Sequence, residues 1–134
     1  MARLDFTVPG KPVPQPRPRI TTRGNFAHAY TPKSHPITSY REAIRKAAIA
    51  AGAKPHKSLV VVFVDASFLR PPSHSNKKGL KKTAPELPSC DHDNILKGVC
   101  DALNGVAYFD DKQVEMSFVW KRYGKTAETR IWIV

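Results

Sequence analysis

A chain of 134 residues has room for one hydrophobic core and too few residues for two. Its 41% hydrophobic content excludes disorder along the whole length, and no apolar run is long enough to span a membrane. Twenty-two Lys and Arg against eleven Asp and Glu leave +11 and a pI near 10.0, a balance that favours a polyanionic partner.

The opening MARLDFTVPG lacks the apolar run of a signal peptide, which points to the cytosol, and Arg3 to Val8 alternates as a short strand. Pro9, Pro12, Pro14, Pro16 and Pro18 follow within ten residues, a density that forbids helix and sheet and favours an extended path. Lys11, Arg17, Arg19 and Arg23 project from this segment, with Phe26 and Tyr30 in a polar loop behind it. It reads either as a solvated linker or as a stiff basic arm that touches phosphates.

A helix is expected from about Ile37 to Ala51, capped by Ser34 or Thr38 and ended by Gly52. Ser58 to Phe68 (SLVVVFVDASF) reads as a buried strand in which Asp65 is structural. From Arg70 to Ser89 the chain is expected to form a mobile basic loop, with Lys77, Lys78, Lys81 and Lys82 near its tip. Helical spacing returns at Asn94 to Leu103 and stops at Asn104-Gly105. Gln113 to Tyr123 alternates like a strand, and Thr129 to Val134 reads as its hairpin partner across a turn at Gly124-Lys125. The order strand, helix, strand, helix, strand, strand predicts one mixed α+β domain over 1–134. Basic loops would occupy about 10–35 and 70–90.

Acidic residues are placed unevenly. Residues 1–90 carry sixteen basic and four acidic side chains, whereas 91–134 carry six basic and seven acidic ones. Asp91 and Asp93 stand where a proline-rich loop meets a helix; Lys97 and Asp101 follow at four-residue steps; Asp110 and Asp111 precede the next strand. Hard oxygen donors in this pattern suit a magnesium ion in phosphodiester hydrolysis, if the fold joins Asp91, Asp93 and one of Asp110/Asp111, with Lys97 steadying charge on the phosphate. A plainer account fits the same spacing: Asp93 as a helix cap, Lys97–Asp101 as a surface ion pair, and Asp110-Asp111 as a turn. Cys90 and Cys100 read as reduced thiols.

The run D-x-D-N-x-x-K-x-x-x-D-A-L-N-G from Asp91, then D-D-x-Q-V from Asp110, resembles the RusA family of Holliday junction resolvases. FTVPGKPVPQPRPR and YREAIRKAA match the same family's pattern, so the resemblance covers most of the chain. It implies a RusA-like fold and a homodimeric, magnesium-dependent endonuclease, with manganese as a substitute, that nicks four-way DNA junctions symmetrically in recombination and repair. By motif position it implies Asp91, Asp93 and Asp111 as catalytic metal ligands and Lys97 as the catalytic lysine, with Asp110 and Asp101 as supporting acids. The setting it implies is a bacterium, a prophage or a phage-infected cell. His92 and Cys90 depart from the residues common at their positions, without removing a ligand. The rival expectation is a non-catalytic, structure-selective DNA-binding protein of the same fold.

Overall fold

In chain order the elements are β1 (Leu4–Pro9), β2 (Arg19–Arg23), β3 (Phe26–Tyr30), α1 (Pro36–Ala50), β4 (Val60–Phe68), the two-residue strands β5 (Ser75–Asn76) and β6 (Gly79–Leu80), α2 (His92–Leu103), β7 (Val114–Tyr123) and β8 (Glu128–Ile133). Single helical turns occupy Pro72–His74 and Asp111–Gln113. The computed structural model describes residues 3–24 and 26–134 and, at Arg23, the backbone alone. No helix among them is long and apolar enough to cross a membrane.

The central sheet has the order β1-β8-β4-β7, antiparallel except for the parallel pair β4–β7. That parallel pair requires a crossover, and α2 supplies it. The expected β7–β8 hairpin does not form, because β4 lies between the two strands. Six β8 residues instead pair with β1 on one side and with β4 on the other. β4 is thereby interior and rich in valine over its first half, with Val60, Val62 and Val64 fully buried.

Both helices cover one face of this sheet. α1 contributes Ile37, Tyr40, Ile44 and Ala48 at helical spacing, and α2 contributes Ile95, Val99, Ala102 and Leu103. They close over Leu4, Phe6 and Val8 of β1 and over Ile131 and Ile133 of β8. Each aliphatic side chain fully buried in this way contributes about 1.5–3 kcal/mol. The hydroxyls of Tyr40 and Thr129 share a buried 2.6 Å hydrogen bond that ties α1 to β8. Burial pushes the Tyr40 phenol up to about 12, so it stays a neutral hydroxyl at physiological pH.

Local chemistry adjusts several boundaries. His35, rather than Ser34 or Thr38, caps α1: its Nδ1 accepts the Ile37 amide at 3.0 Å, and Pro36 fills the first helical position. α2 starts at His92, two residues before the expected Asn94, and beyond its end Gly105 takes φ +77°.

The two basic segments are more ordered than their composition predicts. Residues 11–18 carry no regular structure, as the prolines dictate, but the chain then forms the antiparallel ribbon β2–β3. Its described side chains are exposed, including Ile20, Phe26 and Tyr30. The segment after β4 is pinned from several sides. Arg70 donates to the Pro85 carbonyl at 2.8 Å and sits 4.2 Å over the Tyr123 ring, and His74 meets the same ring edge-on. β5 and β6 pair around a tip formed by Lys77 and Lys78.

Candidate functional site

α2 organises the site. Asp91 occupies the cap position with extended backbone, yet its side chain makes no capping bond, and its carboxylate stays exposed at the helix N-terminus. Asp93, in the first turn, accepts the Asn94 amide at 3.0 Å. Lys97 is exposed one turn further on, and Asp101 follows, half-buried, one turn beyond that. Asp101 pairs with Arg41 of α1 at 3.6 Å rather than with Lys97, so the expected surface pair is replaced by an inter-helix bridge.

The turn before β7 brings a second pair of carboxylates to this helix. Asp110 caps the turn by accepting the Lys112 amide at 2.9 Å, and the Gln113 side chain reaches back to the Phe109 and Asp110 amides at 2.8 and 3.1 Å. Gln113 Nε2 also donates to the His56 and Ser58 carbonyls, which fixes the turn to the chain entering β4. The Lys112 amide, followed by a hydrogen bond with Asp111, holds Asp110 below the ordinary carboxylate range. The same shared bond pushes Asp111 up, aided by burial and by the charges of Asp110 and Asp101; Lys97 pulls it back down. Asp111, Asp110, Asp101 and Lys97 therefore form one electrostatic neighbourhood, in which Lys97 offsets only part of the negative repulsion on Asp111.

Among the described residues, no group of three His, Cys, Asp or Glu side chains is gathered closely enough to hold a metal ion. The donor chemistry nonetheless suits a hard divalent cation: Asp91, Asp93 and Asp111 are exposed carboxylates, and added positive charge would relieve the repulsion at Asp111.

Several residues that support this arrangement escape a reading of the sequence. Lys121, on β7, donates from Nζ to the carbonyls of Pro88 at 2.9 Å and Cys90 at 2.8 Å, clamping the backbone that delivers Asp91. The proline-rich arm crosses α2, where the Gln15 amide donates to the Asn94 carbonyl at 2.9 Å and the Gln15 side chain accepts from Arg41. Gly98 lets α1 approach α2 closely at this point: a Cβ there would lie a tight 3.3 Å from Ile37 Cδ1, while the arm, 3.7 Å away at the Val13 carbonyl oxygen, would be in ordinary contact. Between the arm and the start of α2 lies a cleft of ≈ 410 Å³, lined by Pro14, Gln15, His35, Cys90, Asp91 and Asn94.

Both thiols lie beside this framework. Burial pushes Cys90 up, although the Lys121 charge opposes it, and burial pushes Cys100 up to about 11. Neither is a ready thiolate near neutral pH. Of the expected DNA-contacting residues, Lys11, Arg17, Arg19, Lys77, Lys78, Lys81 and Lys82 are all exposed; the Arg23 side chain lies outside the described residues.

The Endodeoxyribonuclease RusA family model matches residues 9–134, which includes every carboxylate just described. The chain belongs to the RusA family. A Bacillus subtilis (strain 168) protein described as "Uncharacterized protein YqaN" is 34% identical over 142 residues, covering 97% of this chain and 94% of that protein. RusA-family membership makes the chain a nuclease of the hydrolase class, and the mixed α+β sheet agrees with a RusA-like fold.

Proposed function

We propose that the chain is a crossover junction endodeoxyribonuclease. It acts as a homodimer on four-way DNA junctions in recombination and repair, in the cytoplasm of a bacterium or a phage-infected cell. The observation that carries this reading is the family match over 9–134, supported by Asp91 and Asp93 at the N-terminal end of α2, Lys97 one turn beyond Asp93, and the electrostatic influence of Lys97 on Asp111. Asp91, Asp93 and Asp111 would hold magnesium, with manganese as a substitute. When bound, the ion supplies positive charge at the phosphate and a more acidic water.

The remaining work falls to side chains. The Lys97 ammonium offsets charge that builds on the phosphate as a water oxygen attacks phosphorus in line and the bond to the 3′ oxygen breaks. A 5′-phosphate and a 3′-hydroxyl remain. Asp110 fixes the turn that carries Asp111 by accepting the Lys112 amide, and Arg41 holds Asp101 back at the helix flank. A two-fold dimer matches a substrate with two equivalent strands, which accounts for paired symmetric nicks.

Basic residues of the arm, the β2–β3 ribbon and the β5–β6 tip supply the DNA-holding surface. Replacing Lys77 and Lys78 with alanine should weaken junction binding for all sequences alike. It should also flatten the plot of log affinity against log salt by about 0.9 for each phosphate that the pair no longer neutralises. Binding titrations over a salt series read that slope, and an unchanged slope would remove the tip from the DNA surface.

A second reading, a structure-selective DNA-binding protein that does not cleave, is favoured by the absence of a gathered ligand trio among the described residues. Cleavage assays on a synthetic four-way junction beside a linear duplex of the same sequence, with and without magnesium, separate the two. The resolvase reading expects paired nicks in the junction alone and only with the metal. Tight junction binding without nicks under any metal establishes the second reading, and equal cutting of both substrates discards junction selectivity.

A further inference from the structure

The sheet face away from the helices is neither polar nor covered. Across the four strands, Asp5, Trp132, Phe63 and Phe118 form one row and Thr7, Arg130, Asp65 and Trp120 the next. The rings form a continuous stack: Phe63 lies 5.0 Å from Phe118 and 5.1 Å from Trp132, and Trp120 lies 5.9 Å from Trp132, all close to parallel. Met116, Phe118 and Trp120 on the edge strand are 54%, 42% and 48% exposed, values that would be unusual for a finished surface.

Charge decides what covers this face. Both of its arginines are already engaged: Arg122 donates to the two oxygens of Asp65 at 2.9 and 3.2 Å, and Arg130 to those of Asp5 at 3.1 and 2.7 Å. Arg130 also lies 4.9 Å over the Trp132 ring. With Glu128 in the next row, the face carries three carboxylates and two guanidinium groups on a chain whose net charge is +11. A nucleic-acid stacking platform needs free cations beside its rings. Here the guanidinium groups are spent on carboxylates, and the carboxylates repel phosphate. An identical face meets no such penalty, because it is nearly neutral where the rest of the surface is strongly positive.

We infer that this aromatic sheet face is the two-fold interface through which one copy of the chain packs on a second. Stacking two such sheets about 10 Å apart covers roughly 1,000 Å² in total, as estimated from strand spacing and length, which meets what a specific pair requires. The helices and their carboxylates stay on the outer side of both copies, free for DNA. The inference rests on the homodimer in the proposed function and names its surface.

Both tryptophans of the chain, Trp120 and Trp132, lie on this face, so intrinsic fluorescence reports on it alone. Sedimentation equilibrium and fluorescence of the wild type, Trp120→Glu and Phe118→Glu test it, with circular dichroism to verify folding. Both substitutions sit on the edge strand, and Phe63→Lys provides an interior second site. The wild type should sediment at twice the chain mass, and its emission should shift red on dilution. The folded variants should dissociate at least a hundredfold more readily.

A monomeric wild type, or edge variants that remain dimers as tight as wild type, would overturn the inference. Quenching by single-stranded oligonucleotide at constant monomer mass would replace it with a nucleic-acid platform. The catalytic reading fails separately: a dimer through this face that nicks nothing leaves the interface standing, and a monomer that resolves junctions removes only the interface.

Discussion

Replacing Asp93 with asparagine should abolish nicking while leaving junction binding intact. The substitution keeps the shape of the side chain and its acceptance of the Asn94 amide, which a carboxamide oxygen can provide equally well, so α2 should fold unchanged. What it removes is the negative charge that a hard cation requires. Losing several kcal/mol of transition-state stabilisation corresponds to a rate lower by about a thousandfold. Affinity for the junction, set by the cationic surface, should change by less than about threefold. Single-turnover cleavage beside binding in chelator reads both quantities. A variant that nicks at the wild-type rate would remove Asp93 from the site, and one that loses binding and cleavage together would mark it as a folding residue.

Lys121→Met should lower the single-turnover rate by about 10–100-fold, with little effect on junction affinity. Lys121 touches no expected metal ligand. Its ammonium holds the carbonyls of Pro88 and Cys90, the second of which belongs to the residue immediately before Asp91. Charge-assisted bonds of this kind contribute about 1.5–3 kcal/mol, and methionine fills the volume while removing them. Asp91 then loses a fixed position, and a displacement near 1 Å is enough to cost about 10²-fold in rate. A merely structural lysine would lower the melting temperature alone. A positioning lysine should also raise the magnesium concentration for half-maximal rate, and Lys121→Arg should recover part of both losses. An unchanged magnesium dependence would sink the idea.

The layout of the chain was legible where periodicity is local. β4 shows itself as a run of β-branched residues, α1 and α2 as stripes at helical spacing, and α2's start is marked by the loop before it. Pairing was not legible. Gly124-Lys125 joins two strands and looks like a hairpin turn, yet β8 passes over to lie between β1 and β4 because its apolar residues 131 and 133 belong in the shared core. The β2–β3 ribbon was hidden by the prolines before it and by polar residues that carry no alternation. The acidic motif identifies its residues, but whether they converge depends on the crossover through α2, a tertiary matter. Lys121 has no local signal at all: its partners lie 33 and 31 residues away. The aromatic face did have one, since Met116, Phe118 and Trp120 alternate on a strand that keeps other side chains between them.

The position of β8 also governs when this protein can exist as a folded object. β1 and β4 are both strands without a common neighbour until residues 128–133 arrive to pair with each, and the Arg130–Asp5 contact spans 125 residues. Closing such distant partners is entropically slow, and no shorter stretch of the chain holds a complete core. On a ribosome, the helices can form early, but the sheet that carries them must wait for the last strand to clear the exit tunnel. The four-stranded sheet is therefore completed late, and a polypeptide released short of 128 would leave β1 detached from the β4–β7 pair on which the acidic helix rests.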